Sequence, residues 1–421
     1  MSDTLMLAFY IWAIVGWVYG LKYQNSWLLL ISSLLIVLSA FSKYFGGSLI
    51  PLLFVYTWAV MGKPSRQLLF LLLPAVFLLG YEWLTYSFYG QGLMLNAQSY
   101  ASANSPLLSS QFFGNTFVGL CFLGGCYASV FFYTPWLWTR RVLINGLLII
   151  ALLMLVIVIF TSQSNEIRLG FLMQVILFTM AGLQIIALAI LELWERRNSE
   201  ALLLCLWILG VFVFSSLLNW TVNARTLLPM LPAVGILVVR RLEQRAMEKE
   251  QGISYHNRNL SKTLAFWLSK GTRYQEKLVP LIPAAVVALL VLSMDYGLAN
   301  STREAALQIT HKYGHGNGTL WFQGSWGFQY YMEKAGASKI DFSRPRIIAG
   351  DLMVIPMNNT NRKPPPENTA LVETLYVPAS RWGSTMSFVV GAGFYAHEWG
   401  ILPFAFGAAP KEVYFVYYVL T

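Results

Sequence analysis

The residues of this sequence best suited to chemistry are a few ionisable side chains at the edges of long apolar runs. Asp3, Lys43 and Arg225 each occupy such a position. Arginine fits a phosphate through its planar fork of donors, lysine offers a point charge to the same group, and aspartate can bind a divalent metal or act as a base. Charges near hydrocarbon are costly and usually functional. Together the three predict a lipid phosphate held beside a carboxylate.

Three further residues extend this candidate site. Glu82 lies near the outer end of an apolar run, Tyr44 follows Lys43, and Asn223 precedes Arg225 by two positions. Each has a simpler alternative reading. Lys43 and Arg225 could extend to the lipid headgroups, Glu82 could be an ordinary interfacial residue, and Asp3 could belong to a frayed terminus.

Histidine and cysteine give weaker signals. His311 and His315 have i, i+4 spacing, but the glycines around them argue against the helix that a metal pair would need. His397 has no evident third partner, so we expect it to be structural. The three cysteines all lie inside apolar runs, without the spacing of a metal site or a disulfide framework.

Composition indicates an integral membrane protein. Of 421 residues, 57% are hydrophobic and 11% are charged, and the mean hydropathy is +0.56, so the apolar share is far above that of soluble domains. The net charge of +10 reflects topology in such a protein rather than a nucleic-acid partner. We therefore expect membrane lipids, and no nucleic acid, as partners.

Apolar runs that could cross roughly 30 Å of hydrocarbon predict about ten transmembrane helices. They lie near residues 4–20, 27–42, 46–61, 68–87, 113–138, 142–160, 170–193, 200–220, 226–239 and 278–295. The second, third and ninth runs are short, so we expect any error among those three. The fold class is thus a polytopic α-helical membrane protein.

The distribution of cations predicts the orientation of these helices. With the N-terminus outside, the inside segments contain Lys22; Lys63 and Arg66; Arg140 and Arg141; Arg196 and Arg197; and the basic stretch 240–277. The outside connections of the membrane part contain only Lys43, Arg168 and Arg225. This bias is expected of a cytoplasmic face. Asp3, Lys43, Glu82 and Arg225 then all lie on the extracytoplasmic side.

The composition changes after Asp295. Apolar runs shorten, polar residues become regular, and short β-type runs such as "KEVYFVYYVL" alternate with one helical stretch near "GFQYYMEKAG". We therefore predict a transmembrane domain over 1–295 and a soluble extracytoplasmic α+β domain over 296–421.

Three segments resemble one family of membrane enzymes. "NARTLLPMLPAVGILVVRRLE", "LLIVLSAFSKYFGGSLIPLLFVY" and "MSDTLMLAFYIWAIVGW" resemble, in order and spacing, segments of GT-C fold glycosyltransferases that use polyprenyl-phosphate sugars. That group includes the lipid A aminoarabinose transferase and the protein O-mannosyltransferases. The similarity covers most of residues 1–240 and implies a GT-C-like membrane domain in a cell envelope. The compact loops and the lack of recognisable eukaryotic targeting signals favour the inner membrane of a bacterial cell.

The resemblance also implies roles for individual residues. Asp3 would be the acidic residue of the second external loop, near a divalent metal and the sugar phosphate, and Lys43 and Arg225 would bind the lipid phosphate. The external loop 90–111 would cover the site. The implied reaction transfers a sugar from a polyprenyl-phosphate carrier to an acceptor, with a carboxylate orienting a metal or deprotonating the acceptor.

One feature departs from the family pattern. The family has its principal catalytic acid in the first external loop, upstream of the segment that matches Asp3, and this sequence has no counterpart. Either the protein is a fragment whose start lies about three helices earlier, or the acid is lost and the chain is inactive; we expect a fragment.

Two other classes of function stay open. A secondary transporter would show similar halves and ionisable residues at midplane depth, whereas the polar residues here lie at one surface. A non-catalytic membrane protein could bind lipid-linked sugars without transferring them.

Overall fold

The computed structural model describes residues 2–103, 111–161, 166–254, 278–316 and 318–420. The protein is mostly helical (68%), with a strand-containing C-terminal domain. It divides into two compact units. The first comprises Met1–Gln163, Met173–Ala284 and Tyr395–His397, and the second Ser164–Leu172, Ala285–Phe394 and Glu398–Thr421. The predicted boundary between residues 295 and 296 falls inside the helix Leu281–Tyr313.

The described helices up to residue 254 follow one another with short connections. They are α1 (Ser2–Lys22), α2 (Ser26–Ser42), α3 (Leu49–Met61), α4 (Leu72–Tyr89), α5 (Leu93–Ala103), α6 (Phe112–Cys126), α7 (Ala128–Leu137), α8 (Arg140–Thr161), α9 (Glu166–Arg196), α10 (Ser199–Val213), α11 (Ala224–Leu227) and α12 (Leu231–Ser254). Single 3₁₀ turns lie at Tyr44–Ser48, Arg66–Leu71 and Leu228–Met230, and a π turn at Phe214–Leu218.

Six helical segments among the described residues are long and apolar enough to span a membrane. They are Ser2–Lys22, Tyr44–Met61, Arg66–Tyr89, Leu169–Arg196, Ser199–Leu218 and Leu281–Tyr313. A seventh span would result if α6 and α7, which meet at a bend of 81°, cross as one broken helix. The protein is therefore membrane-associated by composition, and the predicted count of ten spans is not confirmed.

The difference in span count has local causes. The second predicted span is α2, which has only 17 residues, fewer than the ~20 that cross a bilayer upright. The predicted ninth span, 226–239, consists of α11, a 3₁₀ turn with Pro229 and the first residues of α12. The sixth falls in α8, whose side chains from residue 153 onward lie outside the described residues.

Helices α1 and α2 form a tight antiparallel hairpin. Asn25 caps α2 by accepting hydrogen bonds from the amides of Trp27 and Leu28 at 2.9 and 3.3 Å, as asparagine typically does at a helix start. Gly20 lets the helices approach closely, because a Cβ there would lie 2.8 Å from a methyl carbon of Leu29. The hairpin brings the first turn of α1 beside the last turn of α2.

The second unit is built on a five-stranded sheet. Its further elements are α13 (Leu281–Tyr313), β1 (Leu320–Phe322), α14 (Trp326–Lys334), β2 (Ser338–Lys339), β3 (Leu352–Pro356), β4 (Thr369–Val377), β5 (Gly383–Ser384), β6 (Met386–Ser387), β7 (Ala392–Gly393), β8 (Ala405–Phe406) and β9 (Glu412–Val419). The sheet order is β2-β1-β3-β9-β4. Strand β1 pairs in parallel with β2 and β3, and β9 pairs antiparallel with β3 and β4. The unit is therefore of mixed α and β structure.

The core of this unit lies between the sheet, α14 and the C-terminal half of α13. It is formed by buried residues that include Ala305, Ile309, Phe322, Phe328 and Val416. Its hydrophobic burial is the main source of the unit's stability.

A carboxylate is buried at the start of β9. Asn358 donates a hydrogen bond from Nδ2 to Glu412 Oε1 at 3.1 Å. Burial raises the pKa of Glu412 to about 7, because a charged carboxylate is poorly solvated there, and the Asn358 hydrogen bond offsets this only in part.

Candidate functional site

The α1–α2 hairpin brings two predicted site residues together. Asp3, in the first turn of α1, forms an ion pair with the Lys43 ammonium. The side chains are 16% and 34% exposed, so the pair is partly shielded from solvent while the lysine stays accessible. Residues 40 positions apart thus meet because the hairpin is antiparallel and its turn is short.

The backbone at Lys43 turns the chain away from α2. Lys43 is extended, with φ −160° and ψ 131°, and its carbonyl accepts a hydrogen bond from the Gly46 amide at 2.8 Å. A Cβ at Gly46 would overlap the backbone of Ser39. Glycine at position 46 therefore permits the tight turn that follows Lys43.

Lys43 lines a cavity of about 920 Å³. The other lining residues come from the turn after α2, from α5, and from the π turn after α10: Tyr44, Phe45, Leu93, Met94, Asn96, Ala97, Gln98, Tyr100, Ala101, Ser102, Phe214, Leu218, Asn219 and Trp220. The volume lies within the range of about 300–1,000 Å³ typical of ligand sites. The lining combines one cation, several amides and hydroxyls, and aromatic rings.

Helix α5 belongs to the external loop 90–111 that was expected to cover the site. None of its residues is buried, so its own packing contributes little to its position. Its last turn contacts the opposite wall through Tyr100, whose ring lies 6.1 Å from that of Trp220 in an edge-on arrangement. Residues 104–110 of the predicted loop lie outside the described residues.

Glu82 holds the first turn of α5. Its carboxylate accepts hydrogen bonds from the amides of Met94 at 3.0 Å and Leu95 at 3.1 Å, and Thr85 Oγ1 accepts one from the Leu93 amide at 3.3 Å. A Cβ at Gly92 would overlap the carboxylate. Glu82 is not itself among the lining residues. It is a buried helix cap that positions the lining residues of α5.

Tyr44 lines the cavity directly. Its hydroxyl lies 3.2 Å from that of Tyr81 in α4, and the Tyr81 ring also packs against Phe41 with centroids 5.5 Å apart. The contact with Tyr81 thereby restrains the Tyr44 hydroxyl. Sequence patterns gave no sign of Tyr81, which lies inside an apolar run.

The remaining two predicted residues lie on the chain between α10 and α12. Asn223 is buried and caps α11, accepting a hydrogen bond from the Thr226 amide at 3.0 Å. Arg225 lies on the four-residue α11, with its side chain exposed, and is not among the lining residues of the 920 Å³ cavity. The structure therefore joins Lys43 to Asp3 and Tyr44 but does not bring Arg225 into the same lining. Its role as a phosphate ligand stays a prediction.

His397 fixes the backbone beside this segment, within the first unit. The Val222 amide donates to His397 Nδ1 at 3.1 Å, and the His397 amide donates to the Val222 carbonyl at 2.9 Å. Because Nδ1 accepts a hydrogen bond, the proton of the neutral ring lies on Nε2. This is the structural role expected of His397. It steadies the chain that leads from the lining residues Asn219 and Trp220.

The described contact of Asp3 is with a cation. Its partner is a lysine ammonium, which repels a divalent cation, and the described part of the chain contains no group of three or more His, Cys, Asp or Glu residues able to hold one. Asp3 as a metal ligand therefore stays a prediction.

No known protein family, characterised protein or solved structure matches the chain.

Proposed function

We propose that this protein is a membrane glycosyltransferase of the GT-C type, which binds a polyprenyl-phosphate-linked sugar in the cavity beside Lys43. The observation that supports this most is the partly shielded Asp3–Lys43 ion pair at a cavity of ligand size. The resemblance in sequence had assigned both residues to one phosphate site. Their meeting in the fold agrees with that assignment.

Lys43 is the phosphate ligand of this proposal. Lys43 lines the cavity, and an ammonium binds phosphate as a point charge. The isoprenoid chain of the carrier would extend into the lipid that surrounds the apolar helices. Arg225 is exposed outside the cavity lining, so the proposal does not depend on it.

The rest of the lining suits a sugar. Asn96, Gln98 and Asn219 supply amide donors and acceptors, and such groups bind hydroxyls. Tyr100 and Trp220 supply flat apolar surfaces that can cover the C–H face of a sugar ring. A cation at one end and amides with aromatic rings elsewhere match a phosphate joined to a sugar.

The proposed transfer uses Lys43, which lines the cavity, and its ion-pair partner Asp3, which is not itself among the lining residues. The acceptor oxygen forms a bond to the sugar's anomeric carbon as the bond from that carbon to the phosphate oxygen breaks. The bonding electron pair leaves with the phosphate oxygen, whose charge Lys43 stabilises. The acceptor's proton passes to the Asp3 carboxylate. The products are the glycosylated acceptor and polyprenyl phosphate.

The proposal includes a location. Asp3, Lys43 and α5 would face the extracytoplasmic side of a bacterial inner membrane, as would the strand-containing C-terminal unit. The support is the bias of Lys and Arg to one set of loops in the sequence. The C-terminal unit would then be available to bind the acceptor.

Binding of the carrier tests the proposal. The purified full chain is titrated with undecaprenyl phosphate and examined by native mass spectrometry, together with Lys43→Ala and Lys22→Ala. Lys22 is an exposed lysine at the other end of α1, so it controls for the loss of one positive charge. Loss of a charge-assisted contact worth ~1.5–3 kcal/mol predicts at least about tenfold weaker binding for Lys43→Ala. Equal binding by both variants and the wild type would refute the site.

Turnover separates an enzyme from the other classes. In liposomes that contain the full chain and undecaprenyl-phosphate mannose, a transferase releases undecaprenyl phosphate when acceptor is added, and Asp3→Asn abolishes the release. A non-catalytic binding protein would bind the lipid-linked sugar without releasing undecaprenyl phosphate. A transporter would move the intact lipid between leaflets. Either of these two results overturns the enzyme assignment.

A further inference from the structure

A second cavity lies at the end of α9 and the start of α10, in the first unit and outside the site described above. Its volume is about 430 Å³, within the range of ligand sites. Its polar wall consists of Arg197, Asn198 and Ser199, which connect the two helices. The segments on either side, Leu169–Arg196 and Ser199–Leu218, are both candidate membrane spans. The cavity therefore lies where a spanning helix ends and another begins.

The charges around this connection are almost completely paired. Arg196 and Arg240 both contact Glu192, at 2.8 and 3.1 Å. Arg240 also contacts Glu200 at 2.6 Å. The Glu192 side chain is only 3% exposed, so this pairing offsets its desolvation.

A neighbouring arginine completes the pairing. Arg241 contacts Glu195 at 2.8 Å. The glutamates at positions 192, 195 and 200 thus each have an arginine partner.

Arg197 differs from these arginines. Among the residues that the structure describes, no carboxylate lies within ion-pair distance of it. Its guanidinium lies over the Trp194 ring, 5.4 Å from the centroid, and Nε donates a hydrogen bond to the Trp194 carbonyl at 3.4 Å. Both contacts orient the guanidinium without neutralising it. A positive charge that no carboxylate offsets therefore lines the cavity.

The opposite wall is apolar. It is formed by Ala59 of α3, Leu193 of α9 and Leu202 of α10, and Trp194 lies at its edge with 69% of its surface exposed. Tryptophan is enriched at the level of lipid headgroups, where an indole contacts both apolar and polar groups. A small inorganic anion would leave this apolar wall exposed to water. A molecule with an anionic head and a hydrocarbon chain would cover both walls.

We propose that this cavity binds the phosphodiester headgroup of an anionic phospholipid, with Arg197 as its charged ligand and the apolar wall against the first part of an acyl chain. Arginine suits this role because its planar donors match phosphate oxygens. The proposal is independent of the glycosyltransferase assignment, since it concerns a different cavity and different residues.

The test compares lipid binding by arginine variants of the purified, delipidated full chain. Arg197 has a left-handed backbone, with φ +46°, which asparagine tolerates better than most residues. Arg197→Asn therefore removes the charge with little strain. Arg140→Asn is the matched control, because Arg140 is also exposed but does not line the cavity. Native mass spectrometry with phosphatidylglycerol and with phosphatidylcholine measures the affinity of the first bound lipid.

The wild type should prefer phosphatidylglycerol over phosphatidylcholine. Arg197→Asn should bind phosphatidylglycerol about tenfold more weakly, since a charge-assisted contact of ~1.5 kcal/mol or more is lost. Arg140→Asn should stay within twofold of the wild type, and Arg197→Lys should recover most of the affinity.

Three results would overturn the proposal. One is unchanged phosphatidylglycerol binding by Arg197→Asn. Another is an equal loss of phosphatidylglycerol affinity in Arg140→Asn, which would show that the lipid is attracted to exposed cations in general and not to this cavity. The third is displacement of phosphatidylglycerol by millimolar inorganic phosphate, which would make the site one for a free anion.

Discussion

Glu82→Gln tests how α5 is held beside the 920 Å³ cavity. The Glu82 carboxylate accepts two backbone hydrogen bonds, at 3.0 Å from Met94 and 3.1 Å from Leu95. A negative charge at this position also interacts favourably with the helix dipole. Glutamine keeps one acceptor oxygen and loses the charge. One charge-assisted hydrogen bond is therefore lost and the other becomes a neutral one.

The expected cost follows from these contacts. A hydrogen bond to a charged group contributes about 1.5–3 kcal/mol, and a neutral one about 1 kcal/mol. The dipole interaction adds about 0.3–1 kcal/mol. The substitution should therefore lower the local stability of α5 by at least about 2 kcal/mol, a factor of at least roughly 30 in its opening equilibrium. None of the α5 residues is buried, so packing within α5 cannot compensate.

Hydrogen exchange followed by mass spectrometry measures this opening in the full chain. Peptides that cover 93–103 should exchange at least about 30 times faster in Glu82→Gln, while peptides of α1 and α2 stay unchanged. Glu333→Gln is the control, because Glu333 is an exposed glutamate whose carboxylate accepts a hydrogen bond from the Gln329 side chain at 2.8 Å, on a different helix. If exchange over 93–103 stays within twofold of the wild type, Glu82 does not hold α5.

Three further predictions concern other parts of the molecule. The pKa of Glu412 is raised from 4.5 to about 7, so the contribution of this group to the stability of the second unit is greatest below pH 4.5. About 3 kcal/mol of that stability should be lost as the pH rises to 7 and above. Hydrogen exchange of β9, corrected for intrinsic rates, should show this pH dependence, and Glu412→Gln should remove it. Gly124→Ala should destabilise the chain by about 1–3 kcal/mol in thermal unfolding, because a Cβ there would overlap a backbone carbonyl of α9. Gly210→Ala is the control: nothing lies within 4 Å of the added Cβ, so this substitution should be neutral or stabilising. Arg225→Ala should weaken undecaprenyl phosphate binding less than twofold, since Arg225 is outside the lining that contains Lys43. If Arg225→Ala instead weakens binding as much as Lys43→Ala does, Arg225 is a phosphate ligand although it does not line this cavity.

The meeting of Asp3 and Lys43 was predictable from the sequence, whereas the role of Glu82 was not. Two apolar runs joined by a short polar turn predict a hairpin, and a hairpin puts the start of the first helix beside the end of the second. Glu82 looked like a site residue because a carboxylate near hydrocarbon is costly. Its cost is offset by two amides of α5, and the sequence of the external loop gave no indication that a helix begins there.

The number of spans was harder to predict, because hydropathy counts apolar side chains and does not detect breaks in the backbone. The fifth run reads as one long span, but it consists of α6 and α7 at an angle of 81°. The ninth run begins in α11, which Asn223 caps, and contains Pro229 in a 3₁₀ turn. These breaks depend on a few polar and proline residues that hardly change the average hydropathy.

Arg225 and the paired arginines show two ways in which this chain accommodates cations at helix ends. Arg225 is exposed on a short helix between two breaks, so its charge needs no partner. Arg240 and Arg241 lie on α12 and are paired with glutamates of α9 and α10. The positive-inside rule counts Lys and Arg, not net charge, so this pairing leaves the predicted orientation unchanged. The ion pairs nevertheless neutralise most of the positive charge where α9 meets α10. The charge that no described carboxylate offsets there is that of Arg197, which lines the cavity proposed to bind a lipid.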